Sequence, residues 1–252
     1  MAAMDYDRVA HLYDAYVQWE LDIPFFLKEA RKAQGPVLEL TAGTGRVSLP
    51  LLRAGIDLTC VDRSAAMLEV FREKLRAEEL SAELVCADMC RLSLDRQFAL
   101  IIIPFHSFAE ITDPAEQRQA LQAIRAHLSP TGRFICTLHN PPVRLQSVTG
   151  HRRKLGDFPL PDGRLLTLSS QESHDAGSGC VDGTQFYEIR DWGGGVLATM
   201  AVDLHFRLYA HHEFQSLAEA AGFVPVHLYG DYSCAGFEPD ISPFMIWVLR
   251  RP

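Results

Sequence analysis

The sequence predicts an α/β protein with a doubly wound, largely parallel sheet, and three observations support this prediction. From residue 36 onward, short runs that are apolar throughout alternate with segments of helical spacing. Strands without a polar face belong to parallel sheets that helices cover on both sides. Turn residues separate these elements at regular intervals. Because crossovers between parallel strands are right-handed, the alternating units wind around a single sheet.

Five strand-like runs with intervening helices make up the first half of the chain. The runs read "VLEL", "DLTCVD", "AELVCAD", "FALIII" and "RFICTL". Helical spacing is clear in "SAAMLEVFREKL", where Ser64 is placed to cap the helix. Asp113 and Pro114 mark the start of a later helix, and Glu116 completes the pattern of a capping box. The turn sequence "SPTG" is expected to end that helix before the fifth strand.

The pattern changes after residue 142. Residues 143–209 contain strand-like stretches separated by turns such as "DAGSG" and "DWGGG", which indicates an antiparallel β insert after the fifth strand. The helical pattern then returns in "HHEFQSLAEAAG", and "FVPVHLYG" and "FMIWVLR" read as two closing strands.

Composition and charge argue against several classes of partner. The chain has 252 residues, 48% of them hydrophobic and 22% charged, with a formal net charge of −8. Nucleic-acid binders usually present a basic face, and the one dense basic run, "HRRK" at 151–154, is expected to be a solvated loop. The start of the chain lacks the pattern of a signal peptide, and no run reaches membrane-spanning length. We therefore expect a cytoplasmic protein with no nucleic-acid or membrane partner.

The six cysteines are expected to be reduced thiols in that compartment. Cys86 and Cys90 are spaced C-x3-C, but no second close pair completes a zinc site. No metal is therefore predicted.

A glycine-rich turn follows the first strand in "VLELTAGTGR", residues 37–46. Gly43 and Gly45 would expose backbone N–H groups to a ligand at the start of a helix. A dinucleotide fingerprint would have a third glycine, and Ser48 stands in its place. Taken alone, the turn is weak evidence for any particular ligand.

Three carboxylates at strand ends specify the ligand further. Glu39 lies just before the turn, where it would repel a diphosphate and attract a cationic amine or sulfonium. Asp62 ends the second strand and is placed to accept hydrogen bonds from two ribose hydroxyls. Asp88 ends the third strand and can accept from an exocyclic adenine amine. A ligand with adenosine at one end and a cationic amino acid at the other satisfies all three positions, and S-adenosylmethionine is such a ligand.

On these motifs residues 36–140 resemble the class I S-adenosylmethionine-dependent methyltransferases. "VLELTAGTGR", "CVDRSAAML", "CADM" and "FALIIIPFHSF" match their first four motifs. The β insert and the entry "R-x-Y…E…AGF" to the last helix are similar to bacterial small-molecule methyltransferases. The resemblance implies a Rossmann-like, seven-stranded sheet in the order 3-2-1-4-5-7-6, with the last strand antiparallel. One departure is Thr41, which stands where the family usually has its first glycine.

The resemblance also implies a cofactor site for S-adenosyl-L-methionine, with S-adenosyl-L-homocysteine as product. Glu39 would orient the amine, Asp62 would hold the ribose, and Asp88 with the Met89 backbone would bind the adenine. The full set of expected cofactor contacts is Tyr13, Glu39, Thr41, Ala42, Gly43, Gly45, Asp62, Arg63, Met67, Asp88, Met89 and Pro104. Tyr6 is a weaker candidate for the same site.

Two histidines are expected near the reacting methyl group. His106 follows the fourth strand, where it would act as a general base or would pack and shape the acceptor site. His139 follows the fifth strand, and with its neighbour Asn140 it would either bind the acceptor or cap loop backbone. Arg207 and Tyr209 leave a similar choice between substrate binding and a structural bond.

We expect one domain over residues 1–252, divided by role. Residues 1–30 would form an N-terminal helical lid, 31–142 the cofactor-binding core, 143–209 the β insert covering the substrate, and 210–252 the closing helix and strands. The insert's edges are also candidates for pairing with a second subunit in a homodimer.

The function expected from the residues and the resemblance is methyl transfer to a nitrogen or oxygen of a small-molecule acceptor. An NAD(P)-dependent oxidoreductase is the alternative enzyme, disfavoured by Glu39 and the missing third glycine. A non-catalytic S-adenosylmethionine-binding protein is the other alternative.

Overall fold

A computed structural model describes residues 4–252, and all of its strands belong to two sheets. The strands are β1 Val37–Leu40, β2 Leu58–Asp62, β3 Glu83–Cys86, β4 Phe98–Ile103, β5 Leu128–His139, β6 Arg153–Pro159, β7 Leu165–Asp175, β8 Cys180–Arg190, β9 Val196–Arg207, β10 Val224–Tyr229 and β11 Phe244–Arg250.

The central sheet has seven strands in the order β3-β2-β1-β4-β5-β11-β10. Strand β1 pairs in parallel with β2 and β4, and β5 continues the parallel part beside β4. Strand β11 runs antiparallel to both β5 and β10. This arrangement confirms the predicted order 3-2-1-4-5-7-6 with the last strand antiparallel. All four residues of β1 are buried, because helices cover both of its faces.

Helices lie on both faces of this sheet. They are α1 Ala10–Tyr16, α2 Ile23–Lys32, α3 Ser48–Arg53, α4 Ala65–Ala77, α5 Pro114–His127, α6 Pro141–Arg144 and α7 His211–Ala220. One hydrophobic cluster packs α2, α3 and α4 against the sheet, with Phe26 and Phe71 fully buried in it. A second cluster packs α5 and α7 on the opposite face around Phe214 and Trp247. The doubly wound prediction is thereby confirmed.

The N-caps of two helices form as the sequence predicts, but among the described residues no hydrogen bond from the Asp113 N–H to the Glu116 side chain completes the predicted capping box. The Ser64 hydroxyl accepts a hydrogen bond from the Met67 N–H at 3.1 Å, which caps α4. The Asp113 carboxylate accepts from the N–H groups of residues 115 and 116 at the start of α5. The Glu116 side chain lies along a cavity wall described below.

The β insert forms a separate antiparallel sheet in the order β6-β7-β8-β9. Strand β6 begins at Arg153, so the second half of "HRRK" is strand and the prediction of a loop there was wrong. Pairing of β6 with β7 outweighs the local charge signal there. The helix α5 ends at His127, just before "SPTG", as predicted. Strand β5 begins at Leu128, but its pairing with β4 is irregular across "SPTG" and resumes at Arg133.

The N-terminal segment connects the two sheets. A short 3-10 turn at Tyr6–Arg8 precedes α1, and residues 1–3 of the expected lid lie outside the described residues. Val9 and Leu12 are buried against the insert, in a cluster that includes Leu168 and Tyr187. Within residues 4–252, no helix combines the length and apolar character needed to cross a bilayer.

Candidate functional site

A cavity of about 320 Å³ opens at the carboxyl ends of β1 to β4. Loops at this edge of an open α/β sheet are the usual location of ligand sites. Eleven of the twelve expected cofactor contacts line it: Tyr13, Glu39, Thr41, Ala42, Gly43, Asp62, Arg63, Met67, Asp88, Met89 and Pro104. The sequence-predicted residues therefore converge on one site, with Gly45 as the exception.

Glu39 brings a carboxyl group into the cavity wall although the residue is only 1% exposed. The Ser48 hydroxyl donates to its Oε2 at 2.6 Å. Ser48 occupies the position of the missing third glycine, so a hydroxyl supports the acid where a dinucleotide site would need bare backbone. Burial raises the pKa of Glu39 to about 8, against the opposing effects of the Ser48 hydrogen bond and the Arg46 cation. A cationic ligand group would stabilise the ionised form.

Asp62 is held in one orientation by two backbone donors. The Gly43 N–H donates to Oδ2 and the Ser64 N–H donates to Oδ1, both at 2.8 Å. Burial raises the pKa of Asp62, while these two bonds favour the ionised carboxylate. Each oxygen keeps a second lone pair, so the carboxylate can accept from two ligand hydroxyls.

The conformation of the turn after β1 shows why glycine would be less strained than threonine at position 41. Thr41 has a φ of 59°, which lies in the left-handed region, where a β-branched residue is strained and glycine is not. Gly43 also has a positive φ of 56°, and a Cβ there would meet nothing within 4 Å. Gly45 differs, because a Cβ would lie 2.4 Å from the Phe71 ring of α4. Gly45 is thus required by helix packing, and it is not among the residues that line the cavity.

A buried ion pair holds Arg46, which lines the cavity, in place. Arg46 donates to both carboxylate oxygens of Asp22 at 2.6 and 2.7 Å, and also to the Trp19 carbonyl. Asp22 is fully buried, so the pair depends on this bidentate geometry. The Arg46 guanidinium also lies 4.8 Å from the centre of the Phe105 ring, which lines the cavity.

Two tyrosines of the N-terminal segment line the cavity. Tyr6 and Tyr13 line it with their rings 6.2 Å apart, edge to face, and burial raises the pKa of both phenols. The Tyr6 hydroxyl donates to Glu110, another lining residue. Asp14 accepts from the Thr44 hydroxyl at 2.6 Å, which ties α1 to the glycine turn.

Several lining residues escaped the sequence analysis, notably Arg46, Glu110 and Thr112. Arg46 lies inside the first motif, next to the predicted Gly45. The other two follow the fourth motif, and their contacts come from residues distant in the chain. The hydrogen bond from Tyr6 to Glu110, for example, spans 104 positions.

His106 and His139 lie beside the cavity and are not among the residues that line it. Their rings stack with centroids 3.7 Å apart, at the carboxyl ends of β4 and β5. Phe105 and His106 have φ values of 56° and 66°, two successive non-glycine residues in the left-handed region. The Nδ1 atom of His106 is buried without a hydrogen-bond partner among the described residues.

Both imidazoles are held neutral. Burial lowers the pKa of His106 to about 3, and the Arg144 cation adds to the effect. Burial lowers the pKa of His139 well below its ordinary value, followed by the effects of His106 and Arg144. A neutral imidazole can accept a hydrogen bond at neutral pH, but with this pKa it holds a proton poorly.

For Asn140, Arg207 and Tyr209 the sequence left a choice between substrate binding and a structural bond, and in the structure all three make structural bonds. The Asn140 amide donates to the carbonyls of Pro239 and Ser242 at 2.8 and 2.7 Å. The Tyr209 hydroxyl donates to the Ile111 carbonyl, and Arg207 pairs with Glu213. Among residues 4–252, no group of three or more His, Cys, Asp or Glu side chains is arranged to hold a metal ion.

The donor and acceptor set fits S-adenosylmethionine. Glu39 offers a carboxyl group that can ionise beside the amine, Asp62 offers two oriented acceptors for ribose hydroxyls, and Asp88 offers a further acceptor on the cavity wall. Asp88 accepts from the Cys90 N–H through Oδ1 at 2.9 Å, which leaves Oδ2 for a ligand. A pyrophosphate would meet three carboxylates here, which electrostatics disfavours.

Comparisons with known proteins agree with this chemistry. Residues 37–132 match the model of a methyltransferase domain family. The chain is 27% identical over 226 residues to a cypemycin N-terminal methyltransferase from Streptomyces sp, covering 85% of this chain and 82% of that protein.

Solved structures share the whole fold. A S-adenosylmethionine-dependent methyltransferase from Clostridium acetobutylicum ATCC 824 superposes with a TM-score of 0.82 at 20% identity, covering 98% of each chain. The sugar N-methyltransferase KedS8 from Streptoalloteichus sp ATCC 53650 gives a TM-score of 0.75 at 21% identity, covering 100% of this chain and 95% of that one. At these identities the likeness establishes the fold, including the β insert.

Proposed function

We propose that the chain is a S-adenosylmethionine-dependent methyltransferase that methylates an amine nitrogen of a small-molecule acceptor, which the family match, the relatives and the shared fold support. The observation that carries the proposal is the convergence of Glu39, Asp62 and Asp88 on one cavity. Nitrogen is favoured over oxygen because the cypemycin enzyme is named an N-terminal methyltransferase and KedS8 is named a sugar N-methyltransferase.

When bound, the cofactor would supply a sulfonium methyl group: the acceptor nitrogen would bond to the methyl carbon as the carbon–sulfur bond breaks in line, S-adenosylhomocysteine would leave, and the methylated nitrogen would release its proton to water. Glu39 binds the cationic amine of the cofactor's amino-acid portion, and Asp62 binds the ribose through two pre-oriented oxygens. Asp88 accepts from the adenine amino group. Tyr6 and Tyr13 cover the cavity and exclude water from it.

His106 is proposed to act on the acceptor side of the site. It directly follows Pro104 and Phe105, which line the cavity, and its buried Nδ1 makes no hydrogen bond among the described residues. With a pKa of about 3, the imidazole stays neutral and can accept a hydrogen bond from an acceptor N–H. This contact would aim the nitrogen lone pair at the methyl group. His139 would hold the His106 ring in place by stacking.

Two properties of the whole protein belong to the same proposal. We propose a cytoplasmic location, since the cofactor is a metabolite of that compartment and the six cysteines are free in the structure. We also propose a homodimer through the insert, whose outer strand β9 exposes Val196 and Leu197 beside Trp192. Sedimentation of the wild-type protein and of Trp192→Ser would test the dimer, because a monomer in both would exclude it.

The experiment is a methyl-transfer assay with S-adenosylmethionine and a panel of primary amines, secondary amines and matched alcohols. We expect a product one methylene heavier from amines only, with S-adenosylhomocysteine released in equal amount. Asp62→Ala should abolish the signal by weakening cofactor binding. His106→Asn should lower kcat while leaving the affinity for S-adenosylhomocysteine unchanged.

Each other outcome has a definite meaning. Turnover of alcohols alone would contradict the choice of nitrogen. Cofactor binding with no turnover on any acceptor would favour the non-catalytic alternative, and tight binding of NADH would favour the oxidoreductase. An unchanged kcat in His106→Asn would remove His106 from the mechanism.

A further inference from the structure

Three hydrogen-bonded side chains join the β insert to the cavity. His205 Nδ1 lies 2.7 Å from Asp182 Oδ1, and His205 Nε2 lies 3.1 Å from Thr112 Oγ1. Asp182 and His205 face each other on β8 and β9, and Thr112 lines the cavity. None of these side chains has a role in the function proposed above.

Thr112 lines the same cavity as Asp88. It lies two residues before α5, and α5 packs against the short turn at Met89–Arg91 that Asp88 caps. Glu116 in the first turn of α5 also lines the cavity. The packing of α5 on this turn is our reason to place Thr112 near Asp88, which is proposed to bind the adenine.

The Asp182 carboxylate sets the direction of the Thr112 hydroxyl. An ionised carboxylate can only accept hydrogen bonds, so His205 Nδ1 carries the proton in that contact. In the neutral imidazole, Nε2 then has a lone pair and accepts the O–H of Thr112. With His205 in this neutral tautomer, the Thr112 oxygen presents lone pairs, and no proton, to the cavity.

We propose that Thr112 is a specificity-determining residue that accepts the second N–H of the adenine amino group, with His205 and Asp182 as positioning residues. An exocyclic amine has two N–H groups. Asp88 Oδ1 already accepts from the Cys90 N–H, so Oδ2 is available for one N–H of the adenine amino group. Thr112 provides the acceptor for the second N–H of that group. The inference rests on the proposed function, because it requires the adenosyl cofactor in this cavity.

The arrangement rejects a base with a carbonyl at the same position. Hypoxanthine has an oxygen where adenine has the amino group, so two lone-pair acceptors would face a third. A site built to bind a hydrogen-bond donor discriminates strongly against an analogue without one. We expect S-adenosylhomocysteine to bind at least about tenfold more tightly than S-inosylhomocysteine.

Calorimetric titration of the full chain with these two ligands tests the proposal without relying on turnover. Thr112→Val keeps the shape of the side chain and removes the hydroxyl. It should weaken S-adenosylhomocysteine binding about three- to tenfold and reduce the preference for S-adenosylhomocysteine over S-inosylhomocysteine. Thr112→Ser keeps the hydroxyl, so it should retain the affinity and the preference of the wild type. Asp182→Asn should also reduce the preference for S-adenosylhomocysteine over S-inosylhomocysteine. Asparagine can select the other tautomer of His205, in which Nε2 donates to Thr112, so the Thr112 hydroxyl no longer donates to His205.

Asp203→Asn is the matched control. Asp203 lies on the same pair of strands and accepts from the Thr184 hydroxyl at 3.3 Å, in a pair with no link to the cavity. This variant should bind both ligands as the wild type does. Thermal unfolding of each variant verifies that it is folded, and Thr112→Val and Thr112→Ser carry the test if Asp182→Asn does not fold.

The outcomes separate this inference from the proposed function. An unchanged preference in folded Thr112→Val would overturn the role of Thr112 and leave the methyltransferase proposal standing. Preference of the wild type for the inosyl ligand would show a hydroxyl proton directed into the cavity and overturn the assigned direction. Failure of S-adenosylhomocysteine to bind at all would overturn the proposed function itself.

Discussion

Replacing Glu39 by glutamine should abolish a proton release that accompanies cofactor binding. Glu39 is 1% exposed, and burial raises its pKa to about 8 in the unliganded protein. The carboxyl group is therefore mostly protonated at neutral pH. A cationic amine bound beside it favours the ionised form, so the proton must leave when the cofactor binds. Glutamine keeps an acceptor for the Ser48 hydroxyl but has no proton to lose.

The size of the effect follows from that pKa. With a pKa of about 8, binding should release about 0.9 proton at about pH 7 and about 0.5 proton at about pH 8. The ionised fraction rises over the same interval, so affinity for the cofactor should increase about fivefold. The unliganded protein should show the opposite trend in stability. Its raised pKa means that the folded state binds more protons than the unfolded state, so stability falls by up to about 1.4 kcal/mol per pH unit as pH rises from about 4.5 to about 8.

Titration calorimetry with S-adenosylhomocysteine in two buffers of different ionisation enthalpy measures the number of protons released. At about pH 7, Glu39→Gln should release about 0.9 proton fewer than wild type does, and it should bind the ligand more weakly and without the pH dependence that Glu39 causes between about pH 7 and 8. Burial also raises the pKa of Asp62, so Asp62 can contribute to the proton release. That contribution is present in both proteins, and the difference between wild type and Glu39→Gln removes it. Equal proton release from both proteins would refute the reasoning.

Three further substitutions test how the site is built, each by urea denaturation. Gly45→Ala should lower the free energy of unfolding by about 2–4 kcal/mol, because its Cβ would collide with the Phe71 ring at a positive φ; no loss would contradict the packing role. Thr41→Gly should raise it by about 0.5–1 kcal/mol by relieving the left-handed strain, and a decrease would show that the threonine side chain outweighs that strain. Arg46→Met should lower it by about 3–5 kcal/mol, since Asp22 would be left buried without its partner; a neutral result would mean that water reaches Asp22.

The sequence predicts the sheet well because the signals of its strands are local. Strands β1, β2, β4 and β5 are rich in apolar residues, and a parallel sheet with right-handed crossovers leaves few ways to order them. Strand β6 lacks such a signal. Its sequence is charged and largely exposed at the edge of the insert, so only its pairing with β7 makes it a strand.

The acids of the site could be predicted because the ends of parallel strands meet at one edge. Glu39, Asp62 and Asp88 each follow directly from the position of a strand end. Arg46 and Thr112 could not be predicted in this way. Their roles depend on partners 24 and 93 positions away, which only the tertiary structure brings into contact.

Two predicted residues show why a motif does not fix a role. Gly45 belongs to the glycine turn, but the Phe71 ring explains the absence of a side chain there, and the sequence offers no sign of that contact. His106 follows the fourth motif, yet its left-handed backbone turns the ring onto His139 beside the cavity. Whether it reaches the acceptor remains a prediction for the methyl-transfer assay.

The most direct test of the central claim is calorimetric titration with S-adenosylmethionine and S-adenosylhomocysteine, run beside NADH and NADPH. Wild type should bind both adenosyl ligands and neither nicotinamide. Asp62→Ala should lose at least about tenfold in affinity, because two hydrogen bonds from ribose to a charged acceptor disappear. Binding of the nicotinamides, or adenosyl binding that is unchanged in Asp62→Ala, would contradict the assignment of the cavity and of every residue placed around the cofactor.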